Sequence, residues 1–131
     1  MRKYLVLFLI PLYLTSPSLA ADSAVIIMYH RFGEENYPNT NIRLTQLEQH
    51  INELKTGSYN VMPVSKILSS IQKNKPLPER TVGITVDDAY KSVYEEAWPR
   101  FKASGLPFTV FVSTGMVDDN AKGHLNWDQV R

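Results

Sequence analysis

Three apolar runs constrain this chain more than anything else in it. They are "SAVIIMYH" (Ser23 to His30), "TVGITV" (Thr81 to Val86) and "PFTVFVS" (Pro107 to Ser113). Each is short, rich in β-branched residues and continuous rather than alternating. That pattern predicts strands of a parallel sheet covered on both faces. A shorter run, "YNVM", reads as a further strand.

The segments between the runs have helical spacing. Leu44, Leu47, Ile51 and Leu54 recur at intervals of three and four, with Thr45 and Glu48 spaced as a capping box and Gly57 as the stop. Pro63 suits a first helical turn, and Val64, Ile67, Leu68 and Ile71 form the apolar face of a second helix. Tyr90 to Ser104 reads as a third, with Val93, Ala97 and Phe101 on one face. Pro99 should kink it and Gly105 end it. "RFGEENYPNTN", "KNKPLPER" and "TGMVDDNAKGHLN" read as loops, and Asn126 as the cap of a last helix beginning "WDQVR". Strand and helix alternate throughout, which places the chain in the α/β class with parallel strands, either barrel-like or open.

Residues 1–20 have a different character. Arg2 and Lys3 precede an apolar run from Tyr4 to Leu14, and "TSPSLA" puts Ser18 and Ala20 where signal peptidase wants small residues. This is the layout of a secretory signal peptide, and the run is shorter than the about 20 residues a bilayer span needs. The reading gives a signal peptide over 1–20, one domain over 21–131, and an exported protein, periplasmic or secreted, with no stable membrane span after cleavage. Loss of Arg2 and Lys3 leaves 12 basic against 13 acidic residues, so nothing points to nucleic acid or an anionic surface. Cysteine is absent, which excludes disulfides, thiolate metal ligands and a cysteine nucleophile. The final helix has barely one turn before Arg131, so the domain is expected to be truncated.

Asp87 and Asp88 close the second apolar run. Active sites of parallel α/β folds gather at the carboxyl ends of strands. Successive strand side chains point opposite ways, so the two carboxylates should diverge, one free to bind a cation while the other acts on what the cation holds. The plainer reading is that Asp88 caps the following helix and Asp87 is solvated. His30 ends the first strand and belongs on the same rim. Asp118 and Asp119 read as solvated turn residues, His50 as a helix-boundary residue, and His124 carries no assigned role.

These residues resemble a known family. "ITVDDAY" looks like the first motif, T-F-D-D-G/A, of polysaccharide deacetylases, the group with the NodB homology domain (carbohydrate esterase family 4). "IIMYHRFGE" resembles the strand and loop that open these domains. "AYKSVYEEAWPRFKASGLPFTVFVSTG" resembles the helix and strand after the motif, and "HLNWDQVR" the L-x-W-x-Q-V/L segment beyond it. The resemblance runs from about Ala24 to Arg131 and covers the N-terminal part of the domain. It implies a distorted (β/α) barrel and a hydrolase acting on carbon–nitrogen, non-peptide bonds, which removes acetyl groups, N-acetyl above all, from an extracellular or cell-wall polysaccharide. Peptidoglycan, poly-N-acetylglucosamine, a chitin-like polymer and acetylated xylan all fit. It also implies Asp87 as catalytic base and Asp88 as ligand of a divalent metal, zinc; beside these, His30 and Tyr90 are expected to line the site. The two histidine ligands of the family's H-S/T-x-x-H motif are absent from this sequence, so the chain alone is expected to be inactive. Val86 stands where Phe is common, and Ala89 where Gly is common. The alternative reading is a non-catalytic glycan-binding relative; a phosphoacceptor receiver domain is disfavoured by the signal peptide.

Overall fold

The computed structural model describes residues 20–21 and 23–131. The signal-peptide reading of residues 1–20 lies almost wholly outside the described residues. Four strands form the main sheet among them: β1 (Val25–Tyr29), β2 (Asn60–Val61), β3 (Thr81–Asp87) and β4 (Thr109–Phe111). All pairings are parallel, as the continuous apolar runs predict. β3 is central. It pairs with β1 along Val25↔Val82 to Tyr29↔Val86. Val82 also pairs with Val61, and Thr85 with Thr109, so β2 and β4 share the opposite edge at its two ends. Two further two-residue pairings flank the sheet: Ala20–Ala21 antiparallel to Leu77–Pro78, and Arg31–Phe32 parallel to Asn41–Ile42.

The period of two along β1 and β3 separates two faces. Ile27 and Tyr29 of β1, with Val82, Ile84 and Val86 of β3, face a core closed by α1 (Leu44–Thr56) and α3 (Trp98–Ser104). Leu47 and Leu54 of α1 are buried there, with Val93, Ala97 and Phe101, so both predicted apolar stripes are the ones that pack. Tyr29, Phe32, Phe101 and Phe108 meet ring to ring at centroid separations of 4.9 to 6.5 Å.

The second face carries Ile26, Met28, Gly83, Thr85 and Asp87, and α2 (Val64–Gln72) covers only its base. Gly83 lets α2 approach. A Cβ there would lie 2.7 Å from Ile26 Cδ1 and 3.1 Å from both Ile67 Cδ1 and Val64 Cγ2. Here the expectation of strands covered on both faces fails: Ile26, Met28 and Phe111 are exposed, Met28 at 59%. Strand composition records that a residue is suited to burial; the cover itself comes from elements distant in sequence, and among the described residues none lies over this part of the sheet.

Local corrections follow from hydrogen bonding. α1 starts at Leu44, so Thr45 is already inside the helix, and Gln46 Oε1 accepts the Arg43 N–H at 3.4 Å in place of the expected Thr45–Glu48 box. On α2 only Val64 and Ile67 are buried; Leu68 and Ile71 are about half exposed. Pro99 has its effect one turn upstream, where Val93–Ala97 widens into a π turn and the Trp98 N–H reaches back to the Val93 carbonyl. A π turn accommodates the donor that proline lacks. Gly105, at φ 70°, then ends α3 in the left-handed region. β4 is three residues rather than seven, and part of the expected loop after it is a one-turn helix, α4 (Thr114–Asp118). Asn126 caps α5 (Trp127–Val130) as expected, its Oδ1 accepting the Gln129 N–H at 3.0 Å. Among the described residues no helix is long and apolar enough to cross a membrane.

Candidate active site

Asp87 is the last residue of β3, and the strand ends of β1 and β4 bring their own polar residues to the same rim. His30 follows β1, and its Nε2 lies 4.0 Å from Asp87 Oδ2. Ser113 follows β4, and its Oγ donates to Asp88 Oδ1 at 3.2 Å. The adjacent carboxylates therefore take different partners, Asp87 from the end of the strand and Asp88 from the turn that follows it. Both still line one groove of about 740 Å³, with Thr85, Met28, Phe111 and Ser113 around them.

The turn that carries them is strained. Asp88 and Ala89 both have positive φ, 68° and 54°. Left-handed backbone raises the energy of a non-glycine residue by about 1–2 kcal/mol, less for Asp than for Ala. The surroundings impose it. The Leu125 N–H donates to the Ala89 carbonyl at 2.9 Å, and the Lys91 N–H to the Gly123 carbonyl at 2.8 Å. Ala89 itself is fully buried. Ala89, where the motif that this stretch resembles commonly has glycine, thus falls where the backbone most needs glycine's freedom. Asp88 is not the residue next to the helix: helical residues begin at Lys91, and the Asp88 carboxylate accepts instead from Ser113 Oγ.

Tyr90 leaves this turn with its ring 4.7 Å from that of His124, and the two residues form an isolated β-bridge. The Arg31 guanidinium lies 3.4 Å from the Tyr90 ring centroid and 3.8 Å from that of Tyr37. Arg31 is only 13% exposed and is paired with Glu34 Oε2 at 2.7 Å. Glu34 Oε1 accepts from Ser92 Oγ at 2.5 Å, and Ser92 Oγ accepts the Phe32 N–H at 3.2 Å.

The structure places Asp87 and Asp88 in one groove and His30 beside Asp87, while Tyr90 packs against His124 and Arg31. Sequence reasoning missed Arg31, Ser113 and Ser92, and gave His124 no role. The rule that selected His30 and Asp87, a polar residue at the end of a parallel strand, also applies to Arg31 and Ser113. No comparable signal marks Ser92 or His124. His50 sits away from the rim, its Nδ1 in contact with the Tyr29 hydroxyl at 2.8 Å. Burial pushes the Tyr29 phenol up to about 12. Asp118 receives the Trp127 indole N–H at 2.8 Å on the exposed surface.

A catalytic zinc site uses three protein ligands and one open position. Among the described residues no three His, Asp or Glu side chains cluster to hold a metal. At the rim the donors are Asp88, already bonded to Ser113, and Asp87 beside His30. The residues present do not by themselves fit the metal that the resemblance implies.

Residues 74–131 match the family model for polysaccharide deacetylase. The chain is 29% identical to a poly-β-1,6-N-acetyl-D-glucosamine N-deacetylase of Staphylococcus aureus, over 75% of this chain and 38% of that protein. The fold is similar to that of IcaB from Ammonifex degensii, with a TM-score of 0.74 and 26% identity, over 85% of this chain and 48% of that one. It is also similar to a de-N-acetylase from Aggregatibacter actinomycetemcomitans, with a TM-score of 0.72 and 26% identity, over 82% of this chain and 49% of that one. The chain thus spans 38% of the Staphylococcus aureus protein and about half of each solved chain.

Proposed function

We propose that this chain, which carries the N-terminal part of the polysaccharide deacetylase fold, is the section of an exported, metal-dependent polysaccharide deacetylase that supplies the catalytic base and the first metal ligand. The observation that carries this is the placement of two adjacent carboxylates with separate partners at the carboxyl end of the central strand, Asp87 beside His30 and Asp88 beside Ser113. In this reading Asp87 takes the proton from the water that attacks the acetamide carbonyl, and His30 and Tyr90 line the site. Asp88 is the carboxylate that would face a divalent cation, zinc. The histidine ligands are not in this sequence, and we place them in chain beyond Arg131.

The names of the relatives favour an N-acetylated glucosamine polymer, β-1,6-linked poly-N-acetylglucosamine first, ahead of peptidoglycan, chitin-like polymers or acetylated xylan. The signal-peptide pattern of residues 1–20 supports export to the periplasm or beyond, where such polymers lie. The 131-residue chain alone is inactive in this reading.

The test is acetate release from β-1,6-linked N-acetylglucosamine oligomers by the full-length protein, with and without a chelator, beside Asp87→Asn. Wild-type protein should release acetate and lose this with the chelator. Asp87→Asn should lower kcat by at least about 100-fold, the effect of removing a general base. An Asp87→Asn protein as active as wild type would overturn the assignment. Oligomer retention with no acetate release by wild type would mark the non-catalytic glycan-binding relative instead.

A further inference from the structure

We propose that Arg31 is a positioning residue that acts through Tyr90 to hold the acidic turn in its left-handed conformation. The inference rests on the reading of Asp87 and Asp88 given above. The turn does not favour its own shape, since Ala89 holds φ at 54° directly after Asp88 at 68°. Something outside it must keep it there. Backbone bonds from Leu125 and Lys91 fix it on the side of the segment after α4. On the β1 side the contact is the Arg31 plane, 3.4 Å from the centre of the Tyr90 ring.

Arg31 is itself held on every side. Tyr37 lies 3.8 Å away, Glu34 pairs with it at 2.7 Å, and Glu34 is tied by Ser92 Oγ to the strand of Phe32. Tyr90 and Ser92 both follow the turn directly, so one cluster grips the backbone just past Ala89 at two points. The same cluster begins one residue after His30. It therefore fixes the end of β1 against the end of β3, and with it the 4.0 Å approach of His30 to Asp87. Only a planar, permanently charged group can pair with Glu34 and lie flat on tyrosine rings at once.

A strained turn held from outside has a signature that a simple tether lacks. Removing the holder lets the turn relax, and the relaxation offsets part of the lost contact energy. Arg31→Met should therefore lower the urea midpoint less in the native background than in the Ala89→Gly background, where the larger part of the strain, that of Ala89, is already gone. Activity should move the other way. In the native background the relaxed turn misplaces the carboxylates, and kcat should fall by about tenfold or more with KM changed by less than about threefold. With Ala89→Gly present the turn keeps its shape unaided, and the loss should shrink to below about threefold.

The experiment is this double-mutant cycle in the full-length protein, read by urea unfolding and by acetate release from β-1,6-linked N-acetylglucosamine oligomers. Additive midpoint shifts, or equal rate losses in the two backgrounds, would overturn the proposal. Should Arg31→Met fail to fold, Arg31→Lys keeps the charge beside Glu34 but lacks the flat face. It should give the same pattern at smaller size, and a protein indistinguishable from wild type in both backgrounds would overturn the proposal too. If wild type releases no acetate, the functional reading fails separately, and the unfolding midpoints alone decide the role of Arg31.

Discussion

Gly83 interrupts the longest strand among the described residues, and the reason lies on the face opposite the main core. Gly83→Ala adds one methyl group between the sheet and α2. It would sit 2.7 Å from Ile26 Cδ1, closer than real Cβ atoms approach a neighbour, and 3.1 Å from Ile67 Cδ1 and Val64 Cγ2. All three neighbours are side-chain ends, so they can shift, but Ile67 and Val64 are buried and have little room. Overpacking of this kind costs about 1–3 kcal/mol. Loss of glycine's freedom in the unfolded chain returns about 0.4–1 kcal/mol. The net expectation is a destabilisation of about 1–2 kcal/mol, read as a lower urea midpoint in the full-length protein with an unchanged slope. Ile26→Val removes the closest atom and, at a site 45% exposed, is itself a mild change. In that background Gly83→Ala should cost about 0.5–1 kcal/mol less. An unchanged midpoint, or the same cost in both backgrounds, would refute the claim that close packing of α2 on β3 selects glycine here.

Two further outcomes follow from single residues. The Tyr29 phenol is held at about 12 by burial, above the ordinary value of 10.0. Stability from this group should be intact below pH 10 and lost as pH rises towards 12, because the unfolded chain gives up that proton first. The loss should reach roughly 2–3 kcal/mol at full titration. Urea midpoints from pH 8 to 11 should show this slope in wild type, and Tyr29→Phe should remove it; an unaltered slope would refute the assignment. Ser92→Ala leaves the Phe32 N–H without its acceptor and Glu34 Oε1 without its donor. About 1–3 kcal/mol of destabilisation is expected, and thermal unfolding that matches wild type would show the network contributes nothing.

The elements nearest the rim that carries Asp87 and Asp88 were the most legible. The Thr81–Val86 run ends where β3 ends, and its two aspartates stand at the strand end that parallel α/β folds use for chemistry. The apolar stripes of α1 and α3 were legible too, because helical spacing and burial describe the same face. Signals that rest on a single residue did worse. The Thr45–Glu48 spacing fits a capping box, but the helix starts at Leu44 and caps itself elsewhere. Pro99 does disturb its helix, yet the disturbance is a π turn before it rather than a kink at it. In both cases several local arrangements satisfy the same sequence, and tertiary packing selects among them.

By itself the sequence determined the class of fold, the parallel pairing and the identity of the acidic pair, since these depend on residue type and on neighbours a few positions away. Only the tertiary structure decided what surrounds that pair. Ser113 bonds Asp88, His30 approaches Asp87, and Arg31 and His124 pack on Tyr90 just after the pair, each from a different segment of the chain. The left-handed turn at Asp88 and Ala89 is likewise a tertiary result. Its own residues disfavour it, and it persists because backbone bonds and the Arg31–Tyr90 contact, all made across the chain, outweigh that local preference.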